Sequence, residues 1–412
     1  MSKQKTNMNN GALLGLCFFL IILISGCSSG GDDPSAYPGK LARYELLKEY
    51  TAQEVAEVIK VAFSETGEDL SGLINTSTAV KAYVVEYYTT NIDGGIIVAS
   101  GLVAAPNPAT AEYPAVAYFH GTMFNNQDVP SNPGRPHSQE ALPAVALFAG
   151  HGYVAIMPDY IGQGRGTKVP HPYLHASSMA SSTADMLYAA RELFTQLSIK
   201  LNSRLFICGL SEGGHATLAL QRYLETSTAP QPFQLTASAP FAGPYSLPKS
   251  WEFWQTNPPG VSPLAAHLIL SYETIYGFKD SLSEIFKPPY DATIVKIDDG
   301  THNGEEMYDM LPKKFQELLQ EAFLGRVNGK THPFYGDMEK NGVFEFSPKT
   351  PTRLYHGIND ELLPSSLSIF TRDQMISLGA KDVEVVIVGP QWSHVSSFLP
   401  CMLSAKRWFD TF

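Results

Sequence analysis

Residues 205–215 read Leu-Phe-Ile-Cys-Gly-Leu-Ser-Glu-Gly-Gly-His, a short apolar run followed at once by Gly-x-Ser-x-Gly. The run predicts a buried strand, and the pattern that continues to Leu224 predicts a helix. A turn this tight leaves no room for side chains two residues either side of its centre, which accounts for the glycines. It strains the backbone of Ser211 and exposes its hydroxyl at the carboxyl edge of a sheet. The stretch therefore predicts a serine nucleophile; a glycine-rich helix start without chemistry is the alternative.

Short apolar or β-branched runs on both sides of this stretch predict further strands. They are 80–89, 96–104, 115–119, 153–157, 205–208, 234–239, 352–355 and 383–388. The first two are separated by Asn91–Gly95 and predict an opening antiparallel hairpin. Most of the others lack polar alternation, which predicts parallel strands covered by helices on both faces. With a helical pattern over 180–194, the chain is predicted to be α/β, with a mostly parallel sheet.

The βα rhythm breaks over residues 246–349, which are helical, irregular and rich in aromatic residues. About a hundred residues are too many for a loop. We expect an inserted helical cap that divides an α/β core into 41–245 and 350–412. The aromatic residues of this segment include Trp251, Phe253, Trp254, Tyr272, Tyr276 and Phe278. We expect the aromatic cap to cover the acyl pocket and exclude solvent; a closed structural subdomain that never moves is the alternative.

A serine hydroxyl needs a base to take its proton, and the base needs a carboxylate to orient it. His394 is the only histidine after the strand at 383–388; a surface histidine before a helix is the alternative interpretation. Asp360 and Glu361 follow the strand at 352–355. We favour Asp360, which comes earlier in the turn and is shorter, and expect Glu361 to be solvated. The order Ser211, Asp360, His394 matches one of the three common triad orders.

Two backbone N–H groups are needed to bind the oxyanion that forms during acyl transfer. One is expected from Glu212, the residue after the nucleophile. The other is expected from the His-Gly-Thr turn that follows the strand at 115–119. The Thr122 N–H is the preferred donor, and the Gly121 N–H is the alternative.

These residues together resemble the secretory lipase family and the bacterial α/β-hydrolase lipoproteins similar to it. The resemblance runs from about residue 80 to the end, is loosest in the cap, and rests on segments 118–122, 158–164, 171–174, 209–214 and the loops of Asp360 and His394. It implies an α/β-hydrolase fold and hydrolysis of carboxylic esters, including acylglycerols, without a cofactor. In such proteins the loop containing Tyr160 and Tyr173 lies near the pocket. These two side chains either shape the pocket or are packing aromatics.

Composition excludes some other functions. The 412 residues carry a formal net charge of −11 and no basic run in the mature region, so nucleic-acid binding is not expected. Histidine and cysteine show no metal-type spacing, so no metal is expected. The sequence indicates a small-molecule ester or lipid substrate and no protein partner.

The N-terminus has the features of an export signal. Lys3 and Lys5 precede an apolar run over 12–24, which is too short to span a membrane. The run ends in Ile-Ser-Gly-Cys, which resembles the lipobox of bacterial lipoproteins. We expect a signal peptide over 1–26, lipid attachment at Cys27 and a flexible tether over 27–40. The product would be an exported lipoprotein tethered to the cell membrane or outer membrane; a plain signal peptide or short anchor is the alternative.

Two cysteines remain in the predicted core, Cys208 and Cys401. A disulfide is allowed in an oxidising compartment. Both cysteines lie in apolar stretches, however, so two buried free thiols are the preferred prediction.

Two other functions compete with an ester hydrolase. A serine peptidase can use the same triad on the same fold. It usually brings an additional N-terminal domain, for which the residues before 80 are too few. A binding protein with a vestigial site is the second alternative, and the presence of all three triad residues argues against it.

Overall fold

A computed structural model describes residues 36–412. The predicted signal peptide, Cys27 and most of the predicted tether lie outside the described residues. Within the described range, no helix is both long enough and apolar enough to cross a membrane.

In this range, nine strands form a single mixed sheet. In chain order they are β1 Leu41–Tyr50, β2 Val80–Thr90, β3 Ile96–Pro106, β4 Tyr113–Phe119, β5 Val154–Pro158, β6 Leu201–Leu210, β7 Gln234–Phe241, β8 Thr352–His356 and β9 Val383–Ile387. Across the sheet the order is β1-β2-β3-β5-β4-β6-β7-β8-β9. The strands from β5 across to β9 are parallel, whereas β1, β2 and β3 are antiparallel to each other and β3 is antiparallel to β5. The predicted α/β class, parallel sheet and opening hairpin are confirmed.

Strand β1 was not predicted, because no strand was expected before residue 80. Within the described residues it pairs with β2 alone, at the edge of the sheet, and most of its side chains are exposed or half-buried. Its sequence has neither an unbroken apolar run nor a strict alternation of polar and apolar residues. Pairing with β2 therefore defines this strand more than its own pattern does.

Among the described residues, five α-helices precede the inserted segment. They are α1 Ala52–Ala62, α2 Ser71–Thr76, α3 Ala141–Phe148, α4 Ala176–Gln196 and α5 Glu212–Thr226. The predicted apolar face of α4 is buried, with Ala180, Ala184, Leu187, Ala190 and Phe194 all at most 5% exposed. Helix α5 begins directly after Ser211, as the strand–turn–helix prediction requires.

The inserted segment 246–349 contains helices between β7 and β8. They are α6 Leu247–Trp254, α7 Val261–Tyr276, α8 Leu282–Ile285, α9 Tyr290–Ile297, α10 Gly304–Met310, α11 Phe315–Leu318, α12 Glu321–Asn328 and α13 Pro333–Lys340. We refer to this segment as the cap. Its helices share an apolar core of their own, which includes Trp251, Trp254 and Tyr272. That core also takes in Tyr173 and Leu174 from the loop before α4, so the cap and the sheet domain pack as one unit.

Two further helices complete the chain, α14 Ser366–Ser377 between β8 and β9 and α15 Phe398–Phe409 after β9. Apolar cores cover both faces of the sheet, one under α1, α3 and α15 and the other under α4 and α5. Cys208 and Cys401 lie in the first core as buried free cysteines, which confirms the preferred prediction. Burial raises the pKa of both thiols, so neither is poised to react as a thiolate.

The order of the strands determines where the functional loops meet. The chain passes from β4 to β5 on one side of β4 and then to β6 on its other side. Such a reversal opens a crevice at the carboxyl ends of the strands, which is where open α/β sheets bind ligands. The loops that follow β4, β6, β8 and β9 all leave from this edge, and they carry the predicted site residues.

Candidate active site

Ser211 occupies the tight turn between β6 and α5. Its backbone angles are φ 57° and ψ −115°, a conformation that non-glycine residues rarely adopt. Two backbone hydrogen bonds hold it there: its N–H donates to the Phe241 carbonyl at 2.9 Å, and the His215 N–H donates to its carbonyl at 3.1 Å. The strain predicted for this turn is therefore present.

The glycines around Ser211 are required by the close approach of neighbouring strands. A Cβ on Gly213 would lie 1.9 Å from the Phe119 carbonyl oxygen, and one on Gly209 would lie 2.4 Å from the same atom. A Cβ on Gly214 would lie 2.6 Å from the Phe241 carbonyl oxygen. The turn thus fits against the ends of β4 and β7 only without side chains at these positions.

The loops after β8 and β9 bring Asp360 and His394 together. His394 Nδ1 lies 2.7 Å from Asp360 Oδ2. The other oxygen of Asp360 accepts the N–H groups of Leu362 at 3.0 Å and Leu363 at 2.8 Å, which fixes the carboxylate. Burial lowers the pKa of His394, but the Asp360 carboxylate outweighs it, and the net pKa is raised above its ordinary value. Burial opposes ionisation of Asp360, yet His394 and His356 hold its pKa well below the ordinary range.

Two neighbours of this pair were missed or misjudged from the sequence. His356, the last residue of β8, is fully buried, with Nε2 3.1 Å from Asp360 Oδ2 and Nδ1 2.7 Å from Ser368 Oγ. The feature of the sequence that could have indicated this contact is the position of His356 just before the Asp360 loop. Glu361 was expected to be solvated, but its carboxylate accepts the backbone N–H of His394 at 3.0 Å. The expectation was wrong because Glu361 links its own loop to the histidine loop.

Ser211 and His394 line the same cavity. No hydrogen bond joins their side chains in the described part of the chain. Hydrogen bonds of catalytic groups are often long in ligand-free sites and tighten when substrate binds. The histidine Nε2 remains available, because Nδ1 is the nitrogen that contacts Asp360.

The backbone N–H groups of the turn after β4 differ in whether they are already engaged. The Gly121 N–H donates to the carboxylate of Glu140, with both oxygens at 3.2 Å. The Thr122 N–H has no hydrogen-bond partner among residues 36–412. The same holds for the Glu212 N–H, which is the first of α5 and has no acceptor within its helix. These are the two donors preferred from the sequence, whereas the alternative donor, Gly121, is already engaged.

Tyr160 and Tyr173 support this turn. The Tyr160 hydroxyl donates to the His120 carbonyl at 2.9 Å, and the Tyr173 hydroxyl lies 2.9 Å from Thr122 Oγ1. Both rings are at most 2% exposed. They belong to the packing around the turn and hold its position, although neither lines the cavity that contains Ser211.

A buried acid follows the nucleophile directly. Glu212 Oε1 lies 2.7 Å from His171 Nε2, and the other ring nitrogen of His171 lies 2.9 Å from the Ile161 carbonyl. A carbonyl only accepts, so Nδ1 carries a proton and Nε2 faces the carboxylate. Burial raises the pKa of Glu212, but His171 outweighs it and the net pKa is lowered. The pair holds the start of α5 against the loop after β5.

The cavity at Ser211 has a volume of about 600 Å³, within the usual range for small-molecule sites. The sheet domain contributes Thr122, Glu140, Leu210, His394 and Phe398, among others. The cap contributes residues from the start of α7 and from α10, namely Gly260, Pro263, Leu264, Gly304, Glu305, Tyr308 and Asp309. The cap therefore lines the cavity, with Tyr308 as an aromatic contributor, whereas the rings of Trp251, Trp254 and Tyr272 fill the core of the cap.

No three histidine, cysteine or acidic side chains converge to hold a metal ion within residues 36–412.

The sheet order and the loops at its carboxyl edge define an α/β-hydrolase fold of the lipase-like kind. A structure from Legionella pneumophila, provisionally assigned as a hydrolase, is similar with a TM-score of 0.82 and 26% identity over 90% of this chain and 98% of that one. The rice cell wall degrading esterase LipA from Xanthomonas oryzae is similar with a TM-score of 0.79 and 25% identity over 90% and 96% of the two chains. These neighbours support an ester-hydrolysing role for this chain.

A third structure, of lower sequence identity, is similar to this chain in fold only. Candida antarctica lipase A has a TM-score of 0.63 and 14% identity over 88% of this chain and 78% of that one. No family model and no curated protein sequence matches this chain.

The glycine contacts lead to a first prediction. Gly213→Ala should destabilise the protein by about 3 kcal/mol or more, because the added Cβ must displace the end of β4. Gly336→Ala is the matched control, a glycine in helix α13 with no atom within 4 Å of the added Cβ. It should leave stability unchanged or raise it by about 0.5–1 kcal/mol. Urea unfolding midpoints measure both, and wild-type stability in Gly213→Ala would contradict the prediction.

Proposed function

We propose that this chain is a serine hydrolase that cleaves carboxylic esters through a covalent acyl-enzyme at Ser211. The observation that carries the proposal is a strained serine and a histidine in one cavity, with the histidine oriented by a buried aspartate at 2.7 Å. The likeness to the Xanthomonas oryzae esterase supports the ester as substrate class. A small-molecule ester or a lipid remains the proposed substrate, with no cofactor taking part.

The proposed reaction has two acyl-transfer steps. Ser211 Oγ attacks the ester carbonyl while His394 Nε2 takes its proton, and Asp360 stabilises the resulting imidazolium. The tetrahedral oxyanion accepts the N–H groups of Thr122 and Glu212, each worth about 3–4 kcal/mol in such sites. His394 then gives its proton to the leaving alcohol. In the second step it takes a proton from water, which attacks the acyl carbonyl. The acid is released when the bond to Ser211 Oγ breaks and His394 returns the proton to that oxygen.

The electrostatics of the site suit this sequence. The Asp360 carboxylate stabilises the protonated form of His394 and so favours proton uptake from the serine. The dipole of helix α5 also favours the reaction. Its N-terminus carries partial positive charge and lies next to the oxyanion that develops during the attack.

We also propose that the protein is an exported lipoprotein, anchored to a membrane through Cys27. The support is the sequence alone: a basic start, the apolar run 12–24, the small residues before the cysteine and the tether after it.

The central test is ester hydrolysis by the mature protein without its tether. Wild type should hydrolyse p-nitrophenyl esters in a series from acetyl to palmitoyl, and Ser211→Ala should lose at least ~10⁴-fold in kcat, because the nucleophile is gone. Ser377→Ala, an exposed hydroxyl at the end of α14, is the control and should match wild type. A wild type that neither hydrolyses any ester nor is labelled by an organophosphonate would overturn the proposal in favour of a binding protein.

A second prediction concerns pH. His394 must be neutral to act as a base, so wild-type kcat/KM should fall as pH drops through its raised pKa. Asp360→Asn removes the carboxylate that raises this pKa, so the fall should move to lower pH, with kcat reduced by roughly 10²- to 10⁴-fold. Asp373→Asn, an exposed carboxylate paired with Arg372, should leave the profile in place. An acid limb unmoved in Asp360→Asn would exclude His394 as the titrating base.

The lipid anchor has its own test. In cells fed labelled palmitate, the full chain should incorporate label and sediment with membranes, whereas Cys27→Ser should do neither. Cys17→Ser changes the other cysteine near the N-terminus and should keep both properties. Label retained in Cys27→Ser would place the modification elsewhere.

A further inference from the structure

We infer that Glu140 is a positioning residue that selects the Thr122 N–H, and not the Gly121 N–H, as the oxyanion donor of the turn after β4. The inference rests on the proposed hydrolase function and extends it to a residue outside the triad.

Glu140 lies at the start of α3, 19 residues after Gly121, and its carboxylate returns to the turn. Both of its oxygens lie 3.2 Å from the Gly121 nitrogen. A Cβ on Gly121 would lie 3.1 Å from Glu140 Oε1, so a larger residue would crowd the carboxylate. Glycine at this position therefore serves the contact with Glu140 as well as the approach of substrate.

This contact determines the direction of the two N–H groups. An N–H that donates to a carboxylate makes a charge-assisted hydrogen bond, stronger than a bond to a neutral carbonyl. The Gly121 N–H is thereby engaged with Glu140 and is not free to bind an oxyanion on the substrate. The next N–H, that of Thr122, has no acceptor among residues 36–412 and belongs to a residue that lines the cavity.

Tyr118 fixes the position of the Glu140 carboxylate. Its ring is fully buried in β4, and its hydroxyl donates to Glu140 Oε2. A buried hydroxyl needs a partner, and the carboxylate of Glu140, a half-buried residue in the wall of the cavity, provides it. Tyr118 acts on the site through Glu140, because it makes no contact of its own with the turn's free N–H.

Glu140 is suited to positioning and not to proton transfer. Each of its oxygens already faces a donor, the Gly121 N–H or the Tyr118 hydroxyl. Burial raises the pKa of Glu140 despite these bonds. Because both the ionised and the neutral carboxyl keep an oxygen that accepts from Gly121, the turn is held in either state.

The first test compares Glu140→Leu with Glu140→Gln on a p-nitrophenyl ester that wild type hydrolyses. Leucine removes the acceptor and should lower kcat by roughly 10- to 100-fold with KM within about twofold, because the loss falls on the transition state. Glutamine keeps an oxygen acceptor and should stay within about threefold of wild type. The rate of Ser211 labelling by an organophosphonate should fall with kcat, since that reaction also develops charge on oxygen.

The second test is a double-mutant cycle. Tyr118→Phe should lower kcat by about two- to tenfold, and Tyr118→Phe combined with Glu140→Leu should be no slower than Glu140→Leu alone. Additive losses would indicate two separate structural defects and overturn the inference. If Glu140→Leu does not fold, Tyr118→Phe decides alone: a reduced kcat at unchanged KM supports the inference, and a wild-type kcat overturns it.

Thr89 and Asp185 provide a matched control pair away from the cavity. The Thr89 hydroxyl donates to Asp185 Oδ2 at 2.7 Å, and burial raises the pKa of that carboxyl to about 7. Thr89→Val and Asp185→Asn should leave kcat and KM unchanged, whatever they do to stability. An active wild type with an equally active Glu140→Leu overturns this inference alone, whereas an inactive and unlabelled wild type overturns the proposed function.

Discussion

The backbone strain at Ser211 is the constraint on which the carboxyl edge of the sheet depends. A non-glycine residue at φ 57° and ψ −115° costs about 1–3 kcal/mol, and it persists only where its surroundings leave no other conformation. Here those surroundings are the ends of β4 and β7, whose carbonyl oxygens approach the turn so closely that residues 209, 213 and 214 can only be glycine. Strands β4 and β6 are neighbours in the sheet, which brings the turn after β4 close to the serine.

Buried acids around the serine hold the loops that the strain brings together. Asp360 ties the loop after β8 to the one after β9, Glu212 ties α5 to His171, and Glu140 ties α3 to the turn after β4. Buried charges add little to net stability, because desolvation offsets most of their attraction. Removing one partner is costly, however, since it leaves the other charge unpaired. Such contacts therefore fix the relative positions of loops more than they strengthen the fold.

Features encoded by neighbouring residues could be predicted from the sequence, whereas contacts between residues far apart along the chain could not. Strands of the parallel sheet are apolar runs, and Ser211, Asp360 and His394 stand in loops that follow strands, so local patterns were enough to predict that they lie at one edge of the sheet. Strand β1 was missed because an exposed edge strand has no such pattern. Glu140, His171 and the link from Glu361 to His394 were missed because each contact joins residues 19 to 41 positions apart. No spacing along the chain distinguishes these side chains from ordinary surface acids and histidines.

The cap separates the residues that stabilise it from those that face the nucleophile. Its large aromatic side chains fill its interior, where the burial of apolar area gives most stabilisation. The wall that the cap presents to the Ser211 cavity is formed by Gly260, Pro263, Leu264, Gly304, Glu305, Tyr308 and Asp309. Substitutions in this wall can change the shape of the cavity without removing an aromatic side chain from the core of the cap, so the stability of the cap and the shape of the cavity can vary separately.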